Sequence, residues 1–354
     1  MKKVSVVILN WNAEHLLRQF LPGVLSHSIL PDGGEVEVVV ADNGSTDGSE
    51  AYVTALAEES SALRWLPLGM NHGFAEGYNR ALKDIDAEYV VLLNDDVEVT
   101  PQWLTPLVTY MDAHPEVAAC QPKLLSQRER GSFEYAGACG GYLDRYGYPF
   151  CRGRIFENIE EDHGQYDQSA SVLWGTGACL FIRLQDYREA GGLDGRFFAH
   201  MEEVDLCWRL HLYGRGITCI PASTVYHVGG ATLAAGSPRK TFLNFRNNLL
   251  MLYKNLPDSE LGRVLAVRMC FDVLAAFVFL FKGERGNFHA VFKARREFRR
   301  MKKEYRPLRQ SIHAKAAALG NPTLHVGERR TLCLLWQYHI LHHRTYSSLP
   351  DKQG

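Results

Sequence analysis

The chain has 354 residues, 46% hydrophobic and 22% charged, with a formal net charge of -1. That length buries a full core and holds one large domain or a domain with an extension. The near-neutral balance gives no basis for nucleic-acid binding, and eight cysteines without a CxxC pair exclude a zinc ribbon or a thioredoxin-type site.

Several cysteines lie in apolar runs, so they read as buried reduced thiols in a cytoplasmic compartment. Met1-Lys2-Lys3 passes directly into a strand, and the apolar run is too short for a secretory leader.

In chain order, strand and helix alternate over the first ~125 residues, which predicts an α/β domain with a mostly parallel sheet and flanking helices. Val4 to Leu9 reads as a strand, Glu14 to Ser26 as a helix, and Val36 to Ala41 as a second strand ending at Asp42. The loop Asp42-Asn43-Gly44-Ser45-Thr46-Asp47-Gly48-Ser49 has neither GxGxxG nor GK[ST] spacing, which disfavours those phosphate cradles. Its leading carboxylate suits a base N–H or a ribose hydroxyl, although Asp-Asn-Gly-Ser is also a turn sequence.

Glu50 to Glu59 is a predicted helix and Leu63 to Leu66 a short strand. Asn71-His72-Gly73-Phe74-Ala75 precedes a helix expected over 77–84, where backbone N–H groups suit a nucleotide and capping accounts for the residues equally well. The apolar run Tyr89 to Leu93 is a buried parallel strand that delivers Asn94-Asp95-Asp96 to the end of the sheet where such folds bind ligands. A divalent ion on a diphosphate needs only one or two such carboxylates. A helix over 101–114 and a strand over 117–125 follow.

Residues 126–168 are Gly- and Tyr-rich and read as hairpins and loops. Val172 to Arg183 reads as a strand interrupted at Gly175-Thr176-Gly177, with a short helix at 184–190. Glu202-Glu203-Val204-Asp205 opens a helix to Tyr213, behind the apolar stretch Phe197-Phe198-Ala199-His200-Met201. Desolvation by that stretch raises a carboxylate toward a useful base. Ile217 to Ile220 is a strand, and His227, in Val225-Tyr226-His227-Val228-Gly229-Gly230, is a candidate ligand to the ion.

Beyond ~240 the pattern changes to long helices, giving a division into 1–240 and a helical, basic extension over 241–354. Val264 to Phe281 is an 18-residue apolar stretch interrupted by Arg268 and Asp272, which are one turn apart and predict an ion pair. Lys282 to Arg309 carries eleven Lys and Arg, interleaved with Phe288, Val291, Phe292, Phe298 and Met301. A basic helix with apolar anchors reads as a contact with an anionic membrane surface, peripheral to the inner face of the cell membrane, or as a helix docked on the core. Lys240 and Arg246 are further cations for a diphosphate.

Together these segments resemble the family 2 glycosyltransferases with the GT-A fold. The matching stretches are Val4-Ser5-Val6-Val7-Ile8-Leu9-Asn10-Trp11-Asn12, Asp42 to Ser49, Asn71 to Ala75, Leu93 to Asp96, Gly175-Thr176-Gly177-Ala178 and Glu202 to Arg209. They cover roughly residues 4–250, and the nearest likeness is to the rhamnosyltransferase-like branch of cell-surface polysaccharide synthesis.

The resemblance implies an inverting transferase using a UDP- or dTDP-sugar and Mn2+ or Mg2+. Donor-binding residues are then Asn10, Asp42, Asn71, Gly73, Asp95 and Asp96, with Asp96 and His227 on the metal. Asn94 stands at the first position of the family's DxD element. Glu203 is the implied base, with glutamate where aspartate is commoner. Trp174, Gly175, Thr176 and Glu202 lie on the acceptor side, and the implied acceptor is a glycan or a polyprenyl-diphosphate-linked glycan. Other readings are a sugar-nucleotide nucleotidyltransferase, for which the Gly-rich basic signature after the first strand is missing, and a non-catalytic nucleotide-sugar-binding subunit.

Overall fold

The structure, a computed structural model, describes residues 2–229 and 236–350; Gly230 of the predicted histidine segment lies outside them. The first half alternates as expected: β1 Lys2–Asn10, α1 Glu14–His27, β2 Val36–Asp42, α2 Ser49–Glu59, β3 Leu63–Pro67, α3 Gly73–Ala81 and β4 Ala87–Leu93. The α3 helix starts four residues earlier than periodicity predicts. Then come β5 Val97–Val99, α4 Leu104–Ala113 and β6 Val117–Ser126.

The Gly/Tyr-rich stretch folds as hairpin strands β7 Gly141–Leu143, β8 Pro149–Cys151, β9 Arg154–Ile155 and β10 Asn158–Ile159, which form a second, four-stranded sheet. The third quarter holds β11 Ala170–Ser171, β12 Cys179–Arg183, α5 Leu184–Glu189, α6 Glu202–Leu212 and β13 Gly216–His227. Helices α7 Pro238–Asn255, α8 Asp258–Phe281, α9 Arg285–Ala318 and α10 Leu334–His339 complete the chain.

The main sheet runs β11-β13-β6-β12-β4-β1-β2-β3, with β5 paired to β13. It is mixed. The β3-β2-β1-β4 half is parallel, but β12 lies antiparallel between β4 and β6. The predicted strand over 172–183 is therefore shorter: only Cys179 onward pairs with β4 and β6, while Trp174 makes an isolated bridge to Gly141. Conversely, β13 runs past Ile220 through Pro221-Ala222-Ser223 to His227, with a register shift between Ile220 and Thr224. Val4, Val6, Val7, Val39, Val40, Val90 and Val91 are all fully buried. Helices covering both faces of the sheet are why these strands read as unbroken apolar runs.

The C-terminal helices share the core. Leu249 to Leu252, Phe298, Tyr305 and Leu334 belong to the same apolar cluster as Leu180 and Trp208. Asp205 ties α6 to α7, its Oδ2 accepting from Arg209 Nε (3.0 Å) and Lys254 Nζ (2.7 Å) and its Oδ1 from Asn255 Nδ2 (2.9 Å).

The predicted Arg268–Asp272 pair forms at 3.2 Å, and Arg295 of α9 closes on the same carboxylate. Of the apolar residues expected to project from α9, Val291, Phe298 and Met301 are instead buried, because that face packs on the core. The exposed apolar surface belongs to α8, where Leu274, Phe277, Val278 and Phe281 face outward.

Candidate active site

The strand ends of β1, β2 and β4 set the first wall. Asn10 pairs in register with Asp42, so its Nδ2 donates to Asp42 Oδ1 and to Ser45 Oγ, both at 3.0 Å. Asp42 Oδ2 takes the Gly44 and Ser45 N–H groups in an Asx turn (3.2 and 3.0 Å). Buried Asn10 Oδ1 has no donor; a buried acceptor left open costs about 1–3 kcal/mol, which a ligand N–H or O–H recovers.

Asn71 and Gly73 sit across from this wall, but the N-terminus of α3 is not an open phosphate cradle. Gly73 N–H donates to Asn71 Oδ1 (2.8 Å), His72 N–H to Asn43 Oδ1 (2.9 Å), and Phe74 N–H to Phe198 O (2.8 Å). Gly73 has φ +79°, and an added Cβ would sit 2.6 Å from the Phe198 ring. The segment instead clamps the loop that precedes Glu203.

The Asn94-Asp95-Asp96 turn leads straight into β5, which pairs antiparallel with the end of β13, His227 opposite Val97. That pairing brings His227 onto Asp96: Nε2 is 3.0 Å from Oδ1, Gly229 N–H donates to Oδ2 (3.1 Å), and Asn94 Nδ2 lies 3.4 Å from Nε2.

The other side of the ring faces Glu134, with Nδ1 3.2 Å from Oε1. Sequence reasoning missed Glu134. It comes from the non-periodic region and arrives only because Glu134 N–H bonds Leu124 O on β6, beside β13. Burial works against a charged His227, yet the two carboxylates raise its pKa to about 10. Burial would raise Asp96, but the His227 contact and the Gly229 N–H hold it below the ordinary carboxylate range. Asp95, pushed by burial and by the neighbouring Asp96 charge, rises to about 7.

Two cis ligands of an ion at about 2.1 Å lie roughly 3.0 Å apart, which the Asp96–His227 separation satisfies, and a carboxylate behind the imidazole is the usual support for a metal-bound histidine. Asp96 and His227 thus offer two donors at a spacing that fits a hard divalent ion, although no group of three or more such side chains occurs among the described residues.

The acids of α6 follow a loop held in an unusual backbone conformation. Phe198, His200 and Met201 all have positive φ (68°, 72° and 72°), a costly conformation for non-glycine residues. Asn247 Nδ2 reaches the carbonyls of Phe197, Ala199 and His200 (3.0, 2.9 and 2.8 Å), and Arg246 Nη2 reaches those of Arg196 and Phe197 (both 3.0 Å). Arg246, expected to meet a diphosphate, is thus a buried strut of this loop.

Glu203 Oε2 is buried without a hydrogen-bond partner, and burial raises its pKa to about 7. Glu202, buried beside it, is also raised, by burial and by the Glu203 charge. The two acidic segments approach each other at Gly177-Ala178. Asn94 N–H donates to Ala178 O (2.9 Å), and a Cβ on Gly177 would lie 3.8 Å from Glu203 Cβ.

Glu203 opens onto a cleft of about 380 Å³, together with Trp174, His200 and Lys240. Gly175, Thr176 and Glu202 do not line it. Thr176 N–H is bound by Gln121 Oε1 (2.9 Å), and Gly175 packs against Leu180.

Residues 5–166 match the family described as Glycosyl transferase family 2. The family assignment belongs to that segment, residues 5–166. The chain is 30% identical over 237 residues to the O-antigen biosynthesis protein RfbC of Myxococcus xanthus, covering 66% of this chain and 18% of that protein. It is 29% identical over 242 residues to an N-acetylglucosaminyl-diphospho-decaprenol L-rhamnosyltransferase of Mycobacterium tuberculosis, covering 63% and 75%. The chain therefore spans less than a fifth of the first relative and three quarters of the second.

Among solved structures, GalNAc-T7 with UDP, GalNAc and Mn2+ superposes with a TM-score of 0.57 at 14% identity, over 73% of this chain and 49% of that one. Residues 1–349 of S. aureus TarS in complex with UDP-GlcNAc give 0.56 at 17% identity, over 91% and 90%. The glycosyltransferase domain has the GT-A type of fold, with helices appended at its C-terminal end.

Proposed function

We propose that this chain is an inverting glycosyltransferase that moves a sugar from a UDP- or dTDP-linked donor to a hydroxyl of a glycan or polyprenyl-diphosphate-linked acceptor, in cell-surface polysaccharide synthesis. The observation that carries this reading is Glu203: a half-buried carboxylate on the cleft wall, with a buried oxygen that has no partner and a pKa of about 7. A general base needs a pKa near the working pH.

On the donor side, Asn10 Oδ1 and Asp42 meet the base and ribose, Asn71 and Gly73 shape the wall, and Asp95 faces the sugar or ribose. Asp96 and His227 would hold Mn2+ or Mg2+, a reading that the Mn2+ in the GalNAc-T7 complex supports, and the bound ion would supply positive charge to the diphosphate. Glu203 takes the proton of the acceptor hydroxyl, whose oxygen forms a bond to C1 from the face opposite the leaving group. The C1–O bond to the diphosphate breaks, and its electron pair departs with the nucleoside diphosphate. The nucleotide-sugar work falls within 1–240, while α7 supplies Asn247, Arg246 and one wall of the cleft. Glu203→Gln tests the reading: transfer falls 100-fold or more if Glu203 is the base, and near-normal turnover of the folded variant rejects it.

The α8 face supports peripheral membrane contact. Asp258–Phe281 is long and apolar enough to cross a membrane, but its polar residues Arg268 and Asp272 are pinned to the body of the protein by Arg295. The outward face is left apolar beside the exposed cations Lys282, Arg285, Lys293 and Arg296, a combination suited to an anionic bilayer surface.

A further inference from the structure

The cleft beside Glu203 contains a charge that its own surroundings do not balance. Arg154, on β9, is 6% exposed, yet no carboxylate pairs with it among the described residues. Its Nη1 donates to Phe156 O (3.3 Å), its Nη2 lies 3.6 Å from Cys151 Sγ, its guanidinium is 4.6 Å from the Tyr135 ring, and Nε has no partner. Arg209 and Arg268 are balanced by Asp205 and Asp272, and Arg152 and Arg246, which likewise have no carboxylate, are each held by two backbone carbonyls, whereas Arg154 has one. An unmatched buried guanidinium costs several kcal/mol, so an anion supplied by a ligand is the natural complement, and the planar fork suits a phosphate.

A second cation shares the cleft. Lys240, in the first turn of α7, makes no ion pair among the described residues, and Asn244, one turn along, lines the same wall. The remaining surface is largely aromatic: Tyr148, Phe156 and Trp174. A volume of about 380 Å³ is in the range of small-ligand pockets and takes a sugar with an attached phosphate group.

We infer that Arg154 and Lys240 form an anion subsite for the acceptor, so that the cleft selects a sugar carried on a diphosphate with an apolar tail. This rests on Glu203 marking the acceptor side, and it goes beyond that reading by naming the residues that recognise the carrier. The acceptor hydroxyl lies at Glu203, the diphosphate spans Arg154 and Lys240, and the aromatic wall receives the sugar ring and the first units of the tail.

The test measures binding without donor and in EDTA, so that no donor-site cation can hold a diphosphate. Farnesyl diphosphate, farnesol and inorganic pyrophosphate are titrated against the full chain by calorimetry. Farnesyl diphosphate is expected to bind, with farnesol and pyrophosphate each at least about tenfold weaker, a factor equal to roughly 1.4 kcal/mol. Arg154→Gln and Lys240→Ala each lose about tenfold or more for farnesyl diphosphate, while Lys83→Ala, an exposed cation elsewhere, matches wild type. Arg154→Gln removes an unmatched buried charge, and Lys240→Ala alters a half-exposed side chain, so the second variant decides if the first fails to fold.

Equal binding of farnesol overturns the anion subsite, and equal binding of pyrophosphate overturns the tailed carrier. Unchanged binding in both variants rejects the assignment to these residues, even where the same preparation still transfers sugar. Transfer that fails while binding stays Arg154- and Lys240-dependent refutes the enzymatic reading instead.

Discussion

Replacing Asn247 with alanine should release the loop that carries the base. Its amide nitrogen serves three carbonyls, those of Phe197, Ala199 and His200, across a segment with three positive-φ residues. Two N–H donors are lost at roughly 1 kcal/mol each, and the buried carbonyls left behind add about 1 kcal/mol or more, for a total of roughly 2–4 kcal/mol. The φ values store about 1–3 kcal/mol each, so the freed loop relaxes rather than holding its shape. Asn247→Asp, of equal size but with oxygen facing carbonyl oxygen, should cost more than the alanine variant. Urea unfolding of both variants reads the stability.

The link to catalysis is read separately. Burial is what lifts Glu203 to about 7, so water entering a relaxed loop must move the acidic limb of the transfer profile down from about 7 toward the ordinary glutamate value, while kcat falls roughly 10- to 100-fold, equal to about 1.4–2.8 kcal/mol of lost orientation. The reasoning is refuted if Asn247→Ala unfolds within about 0.5 kcal/mol of wild type and keeps an unshifted profile.

Glu203→Gln should abolish transfer without loss of fold, and its stability should diverge from wild type with pH. A carboxyl raised from 4.5 to about 7 gives the native state extra protons between those values, so wild-type stability declines as pH rises through that window; the glutamine variant lacks that decline, as urea curves at pH 5 and pH 8 will show. Asp96→Ala and His227→Ala should each weaken Mn2+ binding at least tenfold by electron paramagnetic resonance in the absence of substrates, and Asp96→Ala should cut transfer 100-fold or more; unchanged Mn2+ titrations would remove these two as ligands. Gly73→Ala drives a Cβ into the Phe198 ring and penalises φ +79°, so a loss of about 1–3 kcal/mol with weaker UDP affinity is expected in thermal melts. Phe277→Asp combined with Phe281→Asp should prevent flotation with anionic vesicles while leaving secondary structure intact; equal flotation would dissociate α8 from the membrane. These substitutions are preferable to truncation after α7, because Phe298, Tyr305 and Leu334 are part of the shared core.

The parallel half of the sheet was legible because β1, β2 and β4 are covered on both faces, and such strands show as apolar runs. The acids at their ends were visible for the same reason: polarity that begins abruptly after Leu93 marks a strand end. What stayed hidden was pairing at long range. The continuation of β13 to His227 is masked by Pro221-Ala222-Ser223, where the strand shifts register. Glu134 has no local signature, since only the meeting of β6, β13 and the Phe133 bridge sets it behind His227. The apolar residues of α9 look like projecting anchors in one dimension. A helix 34 residues long can equally hide them against the core, as it does Val291, Phe298 and Met301 but not Phe292, and α8 presents the larger exposed apolar face.

Three carboxylates on the first turn of α6 divide by their partners, and that division argues for where the chemistry lies. Asp205 is saturated by Arg209, Lys254 and Asn255, so it holds α6 on α7 and has no capacity left for a substrate. Glu202 is buried and Glu203 half-buried, each with one buried oxygen that has no partner, a state that stability alone does not favour. The compensation is visible nearby: Asn247 and Arg246 fasten the preceding loop, and Phe198 accepts from the start of α3. Those contacts reach from the C-terminal helices across to the donor wall. A site held by elements on both sides keeps Glu203, the unsatisfied carboxylate that lines the cleft, able to take the proton of an arriving hydroxyl, and the unmatched guanidinium of Arg154 in the same cleft extends that logic from the reacting group to the group that carries it.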